Sequence, residues 1–361
     1  MPRLYTDEPD KFWKVGDKEY RIDKENSDCI YSDEEHVYIN KKDNSRYISV
    51  TTLINKYSEE FDEDFWSSYK ALEEIMDEDT FSILKKALLA TKKFNPKILK
   101  KFQIDEELFA QKKAEIVAQY NATRNEACEH GTAEHLSKEL SFYGKHDFDF
   151  GRYGYKDLSG EYDCKKNYYE LDLERGVYPE FLIAVTSRDG ILKVSGQIDC
   201  LIKNGNEITI LDWKGLDINT LIPTPKGFVK MKDLRKNDIV YDKDGNEITI
   251  LDWKTNREIK KESYYNRSTK QHQMMKFPLN NIQDSNYWHY ALQLSLYAYL
   301  LQTLHPEFII KGLKLIHINR EQKETEYEVP YLKDDVERML KHYKRQLKIE
   351  QELDRLKPAI E

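Results

Sequence analysis

Cysteine is scarce and scattered. The four residues Cys29, Cys128, Cys164 and Cys200 form no C-x-x-C pair. That spacing argues against a zinc knuckle, an iron–sulfur cluster or a disulfide framework, and fits a reducing compartment. No apolar run reaches the roughly 18 residues of a membrane helix, and no secretory leader is recognisable. We therefore expect a soluble, intracellular protein with no membrane partner. Basic charge is not in excess either: 57 Lys and Arg stand against 65 Asp and Glu, a net charge of −8. A general polyanion binder is not indicated, so a nucleic-acid role would need local basic patches and metal ions to offset the acidity. Core-forming residues are not lacking. Hydrophobic residues make up 39% and aromatics 12% of 361 residues, enough for one large or two ordinary domains.

The most informative stretch is residues 194–214, VSGQIDCLIKNGNEITILDWK. Two apolar runs joined at Asn204-Gly205 read as a β-hairpin with a type I′ turn. With those two as loop residues, Leu201 faces Ile208, Asp199 faces Ile210 and Gln197 faces Asp212. Residues two apart share a strand face. Asp199, Asp212 and Lys214 then lie on one face, with Asp199 diagonal to Asp212 at roughly 7 Å. Two carboxylates at that separation can share one divalent cation. An Asp pair with a Lys two residues on is the arrangement of a metal-dependent nuclease. The alternative is a solvated hairpin with surface charges. Against it, Ile208, Ile210, Leu211 and Trp213 read as buried, and burying two unpaired carboxylates is costly.

Other elements follow from periodicity. Residues 36–54 read as a strand, the turn KKDNS and a second strand or helix start, with Thr51 or Thr52 as the N-cap. Residues 62–120 read as helical. Within them, residues 85–102 hold seven lysines and no acid. Lys92, Lys93, Lys100 and Lys101 are either a solvated face or a track for a phosphate backbone. A long helix is expected over residues 106–143, with His130 and His135 five apart on different faces, unlike a zinc-protease H-E-x-x-H. A lone histidine there is more often a hydrogen-bonding residue than a ligand. Residues 178–185 form a strand with Glu180 near its start. Residues 287–302 form a helix on which Gln293 and Tyr297 share a face. Residues 311–319 read as a strand and 332–357 as an amphipathic helix.

The order Gly131-Thr132-x-x-His135, Glu180, Gly196-x-x-Asp199, Asp212-Trp213-Lys214 and Gln293-x-x-x-Tyr297 resembles the PD-(D/E)XK nucleases of the RecB type. With SVTTLI near the N-terminus, the spacing is similar to mitochondrial genome maintenance exonuclease and its phage and viral relatives. The resemblance spans about residues 49–319. It implies an α/β fold: a PD-(D/E)XK core with a mixed central β-sheet flanked by helices. Residues 1–105 would form an N-terminal β-hairpin and helical DNA-contacting region, and residues 106–361 the nuclease core. His135, Asp199 and Asp212 would bind Mg²⁺ or Mn²⁺. Lys214 would orient the attacking water or stabilise the transition state, and Glu180 would be an outer ligand or general base. Gln293 and Tyr297 would position DNA. The implied activity is an exonuclease acting on single-stranded or free DNA ends in replication, repair or recombination. Cluster-bearing relatives place cysteines after the last motif; this chain has none there, so no iron–sulfur cluster is implied. Phage or virus encoding is compatible with the resemblance.

One feature departs from that family. GNEITILDWK occurs twice, at residues 205–214 and 245–254. The residues between resemble the first block of an intein, an insertion running from 215 to 254. Gly215 stands where an intein carries Cys or Ser, so no acyl shift can start. The segment reads either as a residual intein fragment or as an assembly artefact or engineered chain. Copy two has its own hairpin, with Asp244-Gly245 as turn and Ile239 facing Ile250 where copy one has Asp199. For copy two to pair with the Asp199 strand, a loop of about 42 residues must close, which costs roughly 2.7 kcal/mol more than a two-residue turn. Asp212 and Lys214 are therefore the favoured pair, with Asp252 and Lys254 as the alternative. Two further readings stay open: a structure-specific endonuclease, and a nuclease-derived DNA-binding protein inactivated by the insertion.

Overall fold

The computed structural model describes residues 11–122, 176–215, 221–224, 227–230, 239–241, 247–249, 259–266, 270–318 and 324–356. The chain divides into two compact units, each assembled from separated segments. One comprises Met1–Glu59, Ala133–Thr220 and Asn256–Glu361; the other comprises Glu60–Thr132 and Leu221–Thr255.

The first unit opens with a hairpin, β1 (Phe12–Val15) and β2 (Lys18–Arg21). A three-stranded sheet follows: β3 (Lys24–Glu25), β4 (Cys29–Ser32) and β5 (Val37–Asn40). Next come β6 (Ile48–Ser49) and α1 (Val50–Asn55). The N-cap of α1 is Ser49, whose side chain accepts from the Thr52 amide at 3.1 Å. The sequence had pointed to Thr51 or Thr52. Ser49 is still extended, so its hydroxyl reaches the third helical amide, as a cap requires.

In the second unit the described residues 62–122 are largely helical, as the periodicity of residues 62–120 indicates. It holds α2 (Glu63–Ile75), α3 (Glu78–Thr91), α4 (Lys97–Lys101) and α5, described over residues 106–122. Asp62 and Asp77 cap α2 and α3, and both first turns carry further acids that complement the helix dipole. Phe65, Leu72, Phe81, Leu88, Phe109 and Ile116 form its core. This unit also contains two hairpins: β10 (Leu221–Thr224) with β11 (Gly227–Lys230), and β12 (Ile239–Tyr241) with β13 (Glu247–Thr249).

The first unit's main sheet is built from β7 (Gly176–Thr186), β8 (Lys193–Asn204) and β9 (Glu207–Gly215). A short hairpin, β14 (Tyr265–Asn266) and β15 (Gln271–His272), precedes α6 (Asn286–Leu304). The chain then adds β16 (Ile309–Ile318), β17 (Glu324–Glu328) and α7 (Lys333–Leu356). The strand order is β17-β16-β9-β8-β6, with β7 also paired to β8. β16 runs parallel to β9 and β6 parallel to β8, while the remaining pairs are antiparallel. The expected mixed α/β architecture, a mixed central sheet flanked by helices, is therefore present.

β8 and β9 are buried on both faces, and their apolar residues fill both. Ile198, Leu201, Ile202, Ile208, Ile210 and Leu211 are fully buried. Each contributes about 1.5–3 kcal/mol by leaving water. α6 is apolar on nearly every side and is buried accordingly. It packs against this sheet as part of the largest core, together with α1 and the first half of α7.

Candidate active site

The turn joining β8 and β9 differs from the expected one, and the difference resets the site. Asn204 stays in the ladder opposite Glu207, so the loop residues are Gly205 and Asn206. Gly205 has φ +61°, which suits the first central position of a type II′ turn better than the second of a type I′ turn. The register moves by two: Leu201 pairs with Ile210 rather than Ile208, and Lys203 with Ile208 rather than Asn206. A two-residue shift leaves every side chain on its face, whereas a one-residue shift would invert them. Continuing past the last ladder pair, Cys200 with Leu211, sets Asp199 opposite Asp212 instead of Ile210. Beyond that pair, the Trp213 amide donates to Asp199 Oδ2 at 3.0 Å.

Both carboxylates sit deep. Asp199 is 5% and Asp212 1% exposed. Asp212 Oδ1 accepts from Lys214 Nζ at 2.9 Å and, more weakly, from Gln293 Nε2 at 3.4 Å. Asp212 Oδ2 is buried and accepts no hydrogen bond. Burial pushes the Asp212 carboxyl up to about 7; the Lys214 charge opposes that rise and the Asp199 charge adds to it. Burial works against the Lys214 ammonium, but the charges of Asp212 and Asp199 outweigh it and hold its pKa above the usual lysine value. Lys214 Nζ also stands 5.2 Å from the centre of the Tyr290 ring, in cation–π range.

α6 supplies the wall over these groups. Tyr290, Gln293 and Tyr297 are spaced i, i+3, i+7, one helical face. Tyr297 is buried, and its hydroxyl is held strongly neutral by burial and by neighbouring Tyr38, Asp199 and Asp212; the hydrogen bond from Gln293 opposes this. Its ring lies directly on Gly196. A Cβ at that position would stand 2.9 Å from both Tyr297 Cε1 and Oη. The glycine three residues before Asp199 is thus a packing requirement of the tyrosine four residues after Gln293.

Glu180 lies across β8 from Asp199. Pro179 pairs with Cys200 and Phe181 with Ile198, and Glu180 between them takes the left-handed φ of +48°. A non-glycine residue there stores strain, which concentrates at functional sites. Lys24 Nζ lies 3.8 Å from the Glu180 carboxylate and donates to its carbonyl oxygen at 3.3 Å. Three acids therefore stand in line across β7, β8 and β9, with Glu180 turned toward Lys24. Among the described residues, no group of three or more His, Cys, Asp and Glu is gathered closely enough to ligate a metal.

The remaining expected residues separate from this cluster. His135, Asp252 and Lys254 lie outside the described residues. Lys92, Lys93, Lys100 and Lys101 belong to the second unit and are exposed; Lys92 caps α3 in a left-handed conformation, and Lys100 and Lys101 end α4. They do not line a single helix. Of the two ILDWK copies, the first lies in β9 between β8 and β16. In the second copy's hairpin, Ile239 pairs with Thr249, not Ile250. Sequence reasoning passed over Tyr290, although its spacing from Gln293 and Tyr297 marked it. It also passed over His317, buried in β16 at the position paired with Lys214. Lys24 gave no signal, since only tertiary folding brings it to Glu180.

The donor set fits a divalent cation. Asp212 offers a buried oxygen without a hydrogen-bond partner, and Asp199 faces it with a second hard carboxylate. Magnesium takes one or two carboxylates and retains waters. Comparison of the chain with family models, with curated proteins and with solved structures gives no match.

Proposed function

We propose that this chain is a metal-dependent deoxyribonuclease of the PD-(D/E)XK type, acting as an exonuclease on DNA ends. The single observation that carries the reading is Asp212 Oδ2. It is a buried carboxylate oxygen that accepts no hydrogen bond, in a carboxyl facing Asp199 and tied through its other oxygen to Lys214. Such a group is costly unless a cation or proton completes it. Asp199 and Asp212 would hold Mg²⁺ or Mn²⁺, with His135 as a third ligand from the motif order. A bound divalent ion lowers the pKa of a coordinated water and neutralises charge on the scissile phosphate.

The chain's own residues divide the remaining work. Trp213 N–H fixes Asp199 Oδ2, so that carboxylate is oriented before substrate arrives. Gln293 steadies Asp212 Oδ1 from α6. Lys214 stays protonated and positions the attacking water or stabilises negative charge on the phosphoryl oxygens. The Tyr290 ring stands under the Lys214 ammonium. Glu180, strained and close by, is an outer ligand or general base. The exposed lysines of α3 and α4 offer contacts for the phosphate backbone.

End-labelled linear DNA and closed circular DNA, incubated with Mg²⁺ or with EDTA, test the proposal. Linear substrates should shorten in Mg²⁺ only. Cleavage of closed circles would overturn the exonuclease mode, and failure to cut any substrate in Mg²⁺ or Mn²⁺ would overturn the enzymatic reading. Lys214→Met should lower kcat at least about 100-fold.

A further inference from the structure

Beside α6 the first unit opens a cavity of about 610 Å³. Its walls include Trp288, His272, Met274, the amide residues Gln271, Asn281 and Gln283, and Asp335, whose carboxylate is engaged by Asn281 and Arg338. Two of the amides are held in place. Ser263 N–H donates to Gln283 Oε1 at 2.9 Å, and Asn281 Nδ2 donates to Asp335 Oδ1 at 2.9 Å while its oxygen accepts from Arg338. Volume and lining fall within the range of small-molecule sites. Planar walls with fixed amide groups suit a flat heterocycle whose edge carries donors and acceptors.

The rim narrows the class further. The Tyr265 ring lies 5.0 Å from His272, and Tyr264, Tyr265, Met274 and Phe277 are exposed. Exposed aromatics on a short hairpin serve no core. Lys260, Lys261, Arg267, Lys270 and Lys276 stand against Glu262 and Asp284 in residues 259–286, a local basic excess in a chain of net charge −8. Of the two acids, Asp284 is already engaged by His289, Gln273 and the Glu59 amide. Basic charge interleaved with exposed aromatics is the pattern of single-strand binding, with lysines along the backbone and rings under the bases. Trp288 lies on α6 two residues before Tyr290, so the cavity opens on a different face of that helix from the one that covers Lys214.

We propose that this cavity receives an unstacked nucleobase of single-stranded DNA, with Trp288, His272 and Tyr265 as stacking surfaces and the 259–286 lysines on the adjoining phosphates. The inference deepens the nuclease reading and rests on it for the identity of the polymer. It gives a chain of net charge −8 a local site for a polyanion, ring-lined and flanked in sequence by lysines.

The test uses the full chain in Ca²⁺ or EDTA. Fluorescence anisotropy is measured with a fluorescein-labelled oligothymidylate and with the same length of abasic phosphate–sugar backbone. Wild type should prefer the base-bearing strand by about tenfold, the low end of base–aromatic stacking. His272→Ala and Tyr265→Ala, both on the exposed hairpin, should each lose most of that preference while keeping the wild-type melting temperature. Trp288→Leu should lose it as well, and the hairpin variants decide the matter if Trp288→Leu does not fold. The proposal is overturned if the abasic strand binds equally well, if the hairpin variants keep the preference, or if wild type does not bind single strands. Cleavage of linear DNA in Mg²⁺ by a protein with any of these failings would leave the nuclease reading standing and remove the cavity. Base-preferring binding by a protein that never cleaves would do the reverse.

Discussion

The Tyr297 ring occupies the space a side chain at position 196 would need: a Cβ on Gly196 would lie 2.9 Å from Tyr297 Cε1 and Oη. This contact joins α6 to β8 three residues from Asp199. Gly196→Ala should therefore destabilise the fold by about 1–3 kcal/mol, the usual cost of overpacking. Urea denaturation reads it. In a Tyr297→Ala background the same glycine substitution should cost almost nothing, so equal costs in the two backgrounds would refute the coupling.

Asp212 carries a pH dependence in metal-free protein. Its folded-state pKa of about 7 lies above the ordinary aspartate value of 3.8, so folding favours the neutral carboxyl. The associated stability is complete below about pH 4 and is lost as pH rises through 7. Asp212→Asn removes this dependence. In EDTA the variant should melt higher than wild type at pH 8, with a difference on the order of a few kcal/mol. Added Mg²⁺ should raise the melting temperature of wild type and leave the variant unmoved. A wild type whose stability rises from pH 5 to 8 relative to the variant would contradict the assignment.

Cys29 tests the depth of the small sheet's packing against β7. The thiol is buried beside Tyr31, Tyr38, Tyr47, Leu182 and Ala184, and burial pushes its pKa up to about 12. Thiolate is the reactive form, so Cys29 should resist iodoacetamide at pH 8 and react only after denaturation. Cys200 is equally buried in β8 and should behave alike. Peptide mass spectrometry with and without urea reads both. Native labelling of Cys29 would mean that this layer opens readily.

The two ILDWK copies make opposite predictions. β9, the first copy, is hydrogen-bonded to β8 and β16, whereas β13 in the second is paired with β12. Asp212→Ala should abolish metal-dependent cleavage and Asp252→Ala should leave it intact. The converse pattern would put the second copy in the central strand.

Local sequence was enough to locate most strands and helices. Apolar-rich runs marked β7, β8, β9 and β16, and residues 287–302 read as a helix with Gln293 and Tyr297 on one face. The shared face of Asp199, Asp212 and Lys214 was also legible, because a strand's period of two survives an error of two in register. The register itself was not. Gly205 fits either of two turn types, and the choice between them depends on which leaves the apolar partners in place. The convergence of Lys24 on Glu180, and of Tyr297 on Gly196, joins residues about a hundred or more positions apart, where no local pattern acts.

The duplicated strand draws the boundary most sharply. Two identical ten-residue segments carry identical propensities, patterns and side chains, so sequence alone determined that each could form an edge of a hairpin bearing Asp, Trp and Lys. Only tertiary structure decided which of them became the central strand. The first copy follows the Asp199 strand after a two-residue turn and meets β16 in parallel on its other side. The short loop and the second hydrogen-bonded neighbour, neither of which is a property of the repeated residues, are what bury one aspartate opposite another.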